Sequence, residues 1–391
     1  MTQKEIAIFP YFQPIIGVAN GNIVGYEALA RQYDEQGKVI SAGDIFSSTA
    51  YSDEDLRELD RKVRWMALQK FSELEDTTTY LTINISAAWI DYLTNTNSLP
   101  TLEMLDKLNI DRSRIIIEIT EAAADIDKLK QVVNKYRENG LKVAIDDYGA
   151  GYSQLDRVIA LNPDIIKIDM RLFKMAAKGG AASEAVKLLT RFGKRSGAKI
   201  ICEGVENMRE FLFGLSCGAQ YMQGFLFSAA EEKFIEIDTY QQHIASLRTK
   251  FFARKLEDEK KKTLQFQEVK KLAYRLKEAL QNDFNLNELA AWGLEGQGVL
   301  KFYLCNSHGE QISPDFNFRD EHWFCDATKK GYNWSWRSYF YQIIALKQCG
   351  IENEIVVSES YLDFDSGLLC KTLSLYLDKE RMLMIDIKNE L

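Results

Sequence analysis

Arg114-Ile-Ile-Ile-Glu118 is an apolar run closed by a carboxylate, and Lys199-Ile-Ile-Cys-Glu203 repeats the design eighty-five residues later. Short runs apolar on every position read as strands buried on both faces, the habit of parallel sheets covered by helices. Working outward, further runs of this kind end on Glu27, Asn84, Asp146 with Asp147, and Lys167. An unpaired ionised carboxylate in an apolar interior costs several kcal/mol or more, so a ring of them needs neutralisation. Bound metal is the simplest neutraliser. Ile165-Ile-Lys167-Ile-Asp169 shows the geometry, because strand alternation sets Lys167 and Asp169 on one face and isoleucines on the other. Asp146 and Asp147 are adjacent and would face opposite ways in a regular strand, so the chain must bend, with freedom from Gly149 and Gly151.

Candidate strands fall at residues 7–12, 23–30, 80–86, 114–120, 142–146, 165–170, 199–203 and 221–227, alternating with amphipathic stretches such as 56–74 and 126–138. This alternation predicts an α/β fold with a largely parallel sheet. Eight strands in the first 230 residues fit one barrel, and its active face would lie at the strand C-termini. A doubly wound open sheet is the rival, but Gly21, Gly25 and Gly37 do not make its glycine-rich nucleotide turn. Residues 231–282 lack strand runs and space Val269, Leu272, Leu276 and Leu280 as in a long connecting helix, with 254–262 almost wholly charged. Residues 283–391 are rich in aromatics, with strands predicted at 298–303, 351–358, 368–377 and 381–387. They read as a small α+β domain.

The formal net charge of −8 argues against a binder of nucleic acid polymers. No run reaches the length of a membrane span, and Met1-Thr-Gln-Lys-Glu5 lacks the design of a secretory signal, so a cytoplasmic protein without membrane attachment is expected. The six cysteines form no CxxC pair and are expected to be reduced and mostly buried. The three histidines, His243, His308 and His322, all lie beyond residue 242. A site in the first segment therefore relies on carboxylates and lysine, and on oxygen-loving Mg²⁺ or Mn²⁺ rather than zinc.

Tyr26-Glu-Ala-Leu29 with Arg31, Asn84-Ile-Ser86, Glu118-Ile-Thr-Glu121, Asp146-Asp-Tyr-Gly-Ala-Gly151, Lys167-Ile-Asp169, Glu203-Gly-Val-Glu206 and Gln223-Gly224, taken in order, resemble the motif series of EAL domains. The resemblance runs from about residue 5 to residue 230. It implies a modified TIM (β/α)8 barrel that hydrolyses cyclic di-GMP to linear pGpG with Mg²⁺ or Mn²⁺ in a two-metal site. Carried over residue by residue, it implies metal ligation by Glu27, Asn84, Glu118 and Asp146, with Asp146, Asp147 and Glu203 at a second ion. Lys167 would orient or help deprotonate the attacking water, and Glu121 would brace the loop after Asp147. Gln13, Leu29, Arg31, Asp169, Glu206 and Gln223 fall where substrate contacts or their supports are expected, and a homodimer is implied by resemblance alone. The chain departs from the pattern at Tyr148 and Ala150, where the family loop usually carries Phe and Thr. Trp and Pro usually follow the arginine, where Gln32-Tyr33 stands here, and Ala42 replaces a common proline. These departures leave open a receptor that binds without turnover; from the residues alone, a metal-dependent barrel acting on another anion, such as an enolase-like lyase, also remains.

Leu300-Lys-Phe-Tyr-Leu-Cys-Asn-Ser-His-Gly309, Trp336-Arg-Ser-Tyr-Phe340 and Ser358-Glu-Ser-Tyr361 resemble PAS-like and Cache-like sensor domains. The implied role is a sensor for an unknown small ligand, with Arg337, Tyr339, Tyr361 and Asp363 lining its pocket and Arg337 pairing a carboxylate. The alternative is that Trp334, Trp336 and Phe340 are core and Arg337 a surface residue.

Overall fold

A computed structural model of the chain describes residues 7–46, 48, 50–86, 90, 99–120, 125–150, 155–281, 293–319, 321–351, 354–363 and 365–388. They fall into two compact units, residues 1–252 and 253–391.

The first unit is a closed barrel. Its strands are β1 (Ile8–Gly17), β2 (Ile23–Tyr33), β4 (Tyr80–Ile85), β5 (Ile115–Thr120), β6 (Lys142–Tyr148), β7 (Ile165–Ile168), β8 (Lys199–Cys202) and β9 (Tyr221–Met222), with the short β3 (Val39–Ser41) appended to β2. From β2 through β4 to β9 every neighbour is parallel. Closure differs from a uniform (β/α)8 barrel, because β1 pairs antiparallel with both β2 and β9. β1 and β2 are joined by a tight turn over Val18–Asn22, and a parallel pair needs a longer crossover. The expected barrel is present, and the rival open sheet is excluded because β1 pairs with both β2 and β9.

Helices cover the barrel as α2 (Asp53–Ser72), α3 (Pro100–Lys107), α4 (Ile126–Glu138), α5 (Leu155–Leu161), α6 (Met170–Ala176), α7 (Gly180–Ser196) and α8 (Met208–Cys217), after a single turn, α1 (Gly43–Phe46). α2 starts with a capping box between Ser52 and Asp55, and α4 is capped by Asp125 and ends before Gly140 at φ 86°. Leu129, Val132, Val133 and Tyr136 form the buried stripe of α4 and share the barrel core with the isoleucines of β5.

The helix expected after the barrel is α9 (Gln241–Gln281). Within the first unit its Ile244 and Leu247 join the barrel core. Within the second, Val269, Leu272, Ala273 and Leu276 pack on one face of an antiparallel sheet, β12-β11-β10-β16-β15-β13, with β14 beside β15. These strands are β10 (Val299–Asn306), β11 (Asp315–Arg319), β12 (His322–Asp326), β13 (Val356–Val357), β14 (Tyr361–Leu362), β15 (Leu369–Tyr376) and β16 (Arg381–Lys388). The other face carries α10 (Ser338–Gln348), whose Tyr339, Phe340 and Ile343 meet Tyr303, Cys305, Met382 and Met384. All six cysteines are free; Cys202, Cys305 and Cys370 are buried, whereas Cys325 and Cys349 are exposed, fewer buried than expected. Among the described residues no helix is long and apolar enough to cross a membrane.

Candidate metal centre and binding cavity

The ammonium of Lys167 is the centre of the site. β7 reads Ile-Ile-Lys-Ile, and its alternation turns Lys167 inward, where the side chain is 1% exposed. Its Nζ lies 2.8 Å from Glu203, 2.9 Å from Asp146, 3.0 Å from Glu118 and 3.1 Å from Glu27, carboxylates brought from β2, β5, β6 and the end of β8. Asn84 and Gln223 donate to Glu27 at 3.2 and 2.6 Å. Burial opposes the charge on Lys167, but Asp146, Glu118, Glu203 and Glu27 override it and raise its pKa well above the usual lysine value. Without cations among these carboxylates, Lys167 is held protonated as their common donor.

One lysine does not neutralise this many acids. Burial raises Glu118, Asp146 and Glu203 above the ordinary carboxylate range, and mutual repulsion adds to it against the pull of Lys167. Glu27 alone falls below its usual value, because Lys167, Gln223 and Asn84 outweigh the burial. Oε1 of Glu118 is buried without a hydrogen-bond partner. Ligand oxygens of Glu27, Glu118 and Asp146 lie within 4.8 Å of one another, and so do those of Asp146, Asp147 and Glu203. An orphaned buried carboxylate oxygen inside an oxygen-only cluster of excess negative charge fits one or two hard divalent cations.

The predicted bend after Asp146 is present, though its source differs. The β6–β7 register shifts between Ile145 and Tyr148, and Asp147 itself takes a positive φ of 54°. A left-handed non-glycine costs of order 1–2 kcal/mol, strain that is kept where the surroundings impose it. Gly149 follows at φ 96°, with Leu172 Cδ2 2.3 Å from where a Cβ would stand. The bulge leaves both carboxyls at one mouth, and the Asp147 carboxyl is pushed up to about 6 by burial and then by Asp146. Gly151 and Glu121 lie outside the described residues.

Above the carboxylates opens a cavity of about 430 Å³, walled by Glu27, Asn84, Asp146, Asp147 and Glu203 together with Gln13, Leu29, Asp169, Glu206 and Gln223. Gln13 and Glu27 are register partners across β1 and β2, and Gln223 donates to Gln13 Oε1 at 3.0 Å. Asp169 caps α6 through the N–H groups of Arg171 and Leu172, and Glu206 pairs with Lys174 at 2.7 Å. Arg31 stands two and four residues beyond Leu29 and Glu27 on one face of β2, with its guanidinium donating to Ala30 O. It is not among the residues walling the cavity. Met170, Gly204, Gly224 and Phe225 also wall it and carried no polar signal in the sequence. Phe225 is 69% exposed, and Gly224 at φ 154° lies so close to the backbone of Val205 that a Cβ would meet it at 2.3 Å.

In the second unit, Arg337 is stacked by Trp334, Trp336 and Tyr361 at 5.0, 5.2 and 5.0 Å. Tyr339 is buried beside it, and Tyr361 bonds Thr372 at 2.8 Å. Asp363 is drawn elsewhere, to Lys301 at 2.7 Å and Ser366 at 2.7 Å. Phe340 is core as expected, but Trp336 is 71% exposed. The buried Lys301, within 3.7 Å of Asp386 and 3.2 Å of Asp365 as well, was missed in the sequence, where it stands in an otherwise apolar strand.

With this geometry in hand, the comparisons place the chain in a family. The model of the EAL domain matches residues 2–230, and that of the EAL-domain associated signalling protein domain matches residues 234–391. The chain belongs to the EAL domain family. It is similar over 97% of its length, at 25% identity, to the uncharacterized EAL-domain containing protein YkuI of Bacillus subtilis strain 168, of which it covers 94%. The crystal structure of that protein, in complex with substrate c-di-GMP and calcium, superposes with a TM-score of 0.86 at 24% identity, covering 98% of this chain and 97% of that one. The barrel segment is also similar to the cyclic di-GMP phosphodiesterase PdeL of Escherichia coli K12, at 25% identity over 56% of this chain and 61% of PdeL. Klebsiella pneumoniae BlrP1, solved as a manganese/cy-diGMP complex, shares 26% identity with a TM-score of 0.52 over 61% of this chain and 59% of its own.

Proposed function

We propose that the barrel, residues 1–230, is a cyclic-di-GMP phosphodiesterase that yields linear pGpG. The observation that carries this is the ring of Glu27, Glu118, Asp146 and Glu203 around Lys167 at the floor of a cavity large enough for a dinucleotide's phosphates. PdeL is named for this activity, and YkuI and BlrP1 were solved with this ligand and a divalent cation. In this reading Glu27, Asn84, Glu118 and Asp146 hold one Mg²⁺ or Mn²⁺, and Asp146, Asp147 and Glu203 the other. Bound there, the cations neutralise charge on the scissile phosphate and acidify the attacking water. Lys167 Nζ keeps its proton and orients that water by donating to it. In this reading Glu203, beside Lys167 at 2.8 Å, would accept the proton the water loses. Glu121 braces the loop following Asp147.

Gln13, Gln223, Asp169 and Glu206 bind and orient the dinucleotide, Arg31 takes a phosphate oxygen, and Leu29 and Phe225 offer apolar surface to a base. The 231–282 segment, helical over α9 (Gln241–Gln281), links this barrel to a PAS-like regulatory domain at 283–391, in a cytoplasmic protein. Ala150 favours one second reading, a receptor without turnover: its N–H is tied to Asp147 O at 3.0 Å, but it has no hydroxyl to fix the loop beside the second ion.

The test is chromatography of cyclic di-GMP incubated with the full chain and Mn²⁺ or Mg²⁺. Linear pGpG from the wild type, and none with EDTA or in Glu27→Gln, is the expected result. Binding without product selects the receptor. Neither binding nor product overturns both and revives a different anionic substrate.

A further inference from the structure

We propose that Phe9, Tyr11 and Tyr33 form a stacking wall for one purine base of the dinucleotide, a role that rests on the cyclic-di-GMP reading of the barrel. β1 and β2 both extend past the carboxylate ring, β1 at its start and β2 at its end. Strand alternation divides this extension into two faces. On one, Ile8 and Ala30 join Ile45 of α1 and Leu56 and Val63 of α2 in a small core. The other faces over the barrel mouth, because it continues the row that supplies Gln13, Glu27 and Leu29 to the cavity wall. Across the two strands Leu29 pairs with Tyr11 and Arg31 with Phe9, and Tyr33 stands two residues further out.

The wall has the chemistry of a nucleotide surface. The Phe9 ring lies 5.5 Å from that of Tyr11 and 4.8 Å from that of Tyr33, and Tyr33 is left 54% exposed. Aromatic rings open on one side offer a base its π-face, and a guanidinium among them offers a phosphate its counter-charge. Partial burial lowers the Arg31 pKa while Glu27 and then Tyr11 oppose it, so the carboxylate ring and the wall both lie within its electrostatic reach. Glu27 and Arg31 are four strand residues apart, about 13 Å at roughly 3.4 Å per residue. A cyclic dinucleotide bridges that span with its scissile phosphate at the carboxylates, its other phosphate at Arg31 and one base on Phe9 and Tyr33. Leu29 and Phe225 are left for the other base. Beyond Gln13 and Glu27 the row carries no amide or carboxylate to read a base edge, so it selects a large flat base and not guanine as such. Tyr33 is one of the two residues by which the chain departs from the EAL pattern after Arg31, which makes the wall a feature of this chain.

Calorimetry of the full chain with cyclic di-GMP in Ca²⁺, the cation of the YkuI complex, tests this. Tyr33→Ala and Phe9→Ala should each raise Kd at least about fivefold, the loss of one base stack. Tyr33→Phe keeps the ring and should stay within about twofold of the wild type. Thermal melting of the same variants separates binding from folding, since rings that only pack would lower the melting temperature and leave Kd unchanged. Unchanged Kd in both alanine variants, or Tyr33→Phe as weak as Tyr33→Ala, overturns the wall and leaves the cyclic-di-GMP reading standing. Unchanged Kd with an altered oligomeric mass in Tyr33→Ala assigns the face to a second copy of the chain and overturns it too. No binding by the wild type takes down that reading and the wall together.

Discussion

Replacing Lys167 by methionine removes the cation while roughly keeping the volume of the buried chain. Four carboxylates, at 2.8 to 3.1 Å from its Nζ, then face one another inside the barrel. Breaking a buried ion pair from one side costs about 3–5 kcal/mol. For a domain of this size each kcal/mol is worth roughly 2–4 °C, so the barrel transition should fall by about 6–20 °C in EDTA. The lower end applies if Glu118, Asp146 and Glu203, already raised toward protonation, take up protons in place of the lost charge. The deficit should then shrink at pH 5 relative to pH 8. Mn²⁺ should return most of the loss, because the same oxygens would hold it, and stabilisation grows as RT ln(1 + [L]/Kd). Differential scanning calorimetry of the full chain, with and without Mn²⁺, measures all three. A variant in EDTA as stable as the wild type, or a deficit that Mn²⁺ leaves untouched at pH 8, would refute the view of Lys167 as the stand-in for cations in a carboxylate site.

Further outcomes follow from the same geometry. Glu118, Asp146, Asp147 and Glu203 have raised pKa values in the fold, so their contribution is present below the ordinary carboxylate range and lost as pH rises, that of Asp147 through about 6. Glu27 runs the other way, losing its contribution as pH falls. With more groups raised than lowered, the gap between the Mn²⁺ and EDTA melting temperatures should widen from pH 5 to pH 8; a gap that narrows contradicts the assignment. Gly149→Ala forces a left-handed alanine against Leu172 and should cost roughly 1–3 kcal/mol in barrel stability and depress turnover, measured by calorimetry and product assay. Phe225→Ala should raise KM for cyclic di-GMP several-fold with little change in kcat and none in melting temperature, since the ring is 69% exposed at the cavity wall. A fall in kcat alone would place Phe225 outside the binding surface.

The barrel was legible because its inner strands advertise themselves. Ile115-Ile-Ile and Ile165-Ile are apolar on both faces, and each run ends on a polar residue the interior tolerates only with partners. Strand ends were less clear: β9 stops at Met222, where residues 221–227 had been expected, because Gly224 turns the chain against Val205. The antiparallel β1 was not foreseen, since its direction is set by the short turn that joins it to β2 and not by the strand's own residues. At the site, charged and amide residues were visible as a set, whereas Met170 and Phe225 look like core residues until the fold leaves them at the mouth. Asp147 shows a different limit, because neighbouring glycines masked the fact that the aspartate itself bends the strand. In the second unit the β11–β12 hairpin was overlooked, its mixed Asp-Phe-Asn-Phe-Arg alternation broken from β12 by only two residues. The Lys301 cluster depends on Asp363, Asp365 and Asp386, distant in sequence and joined only by the sheet.

Anomalous diffraction from crystals of the full chain grown with Mn²⁺ and cyclic di-GMP bears most directly on the central claim. The account predicts manganese peaks coordinated by Glu27, Asn84, Glu118 and Asp146, and by Asp146, Asp147 and Glu203, with a phosphate of the dinucleotide against them. Manganese bound elsewhere, or a dinucleotide seated away from the Lys167 ring, would contradict it.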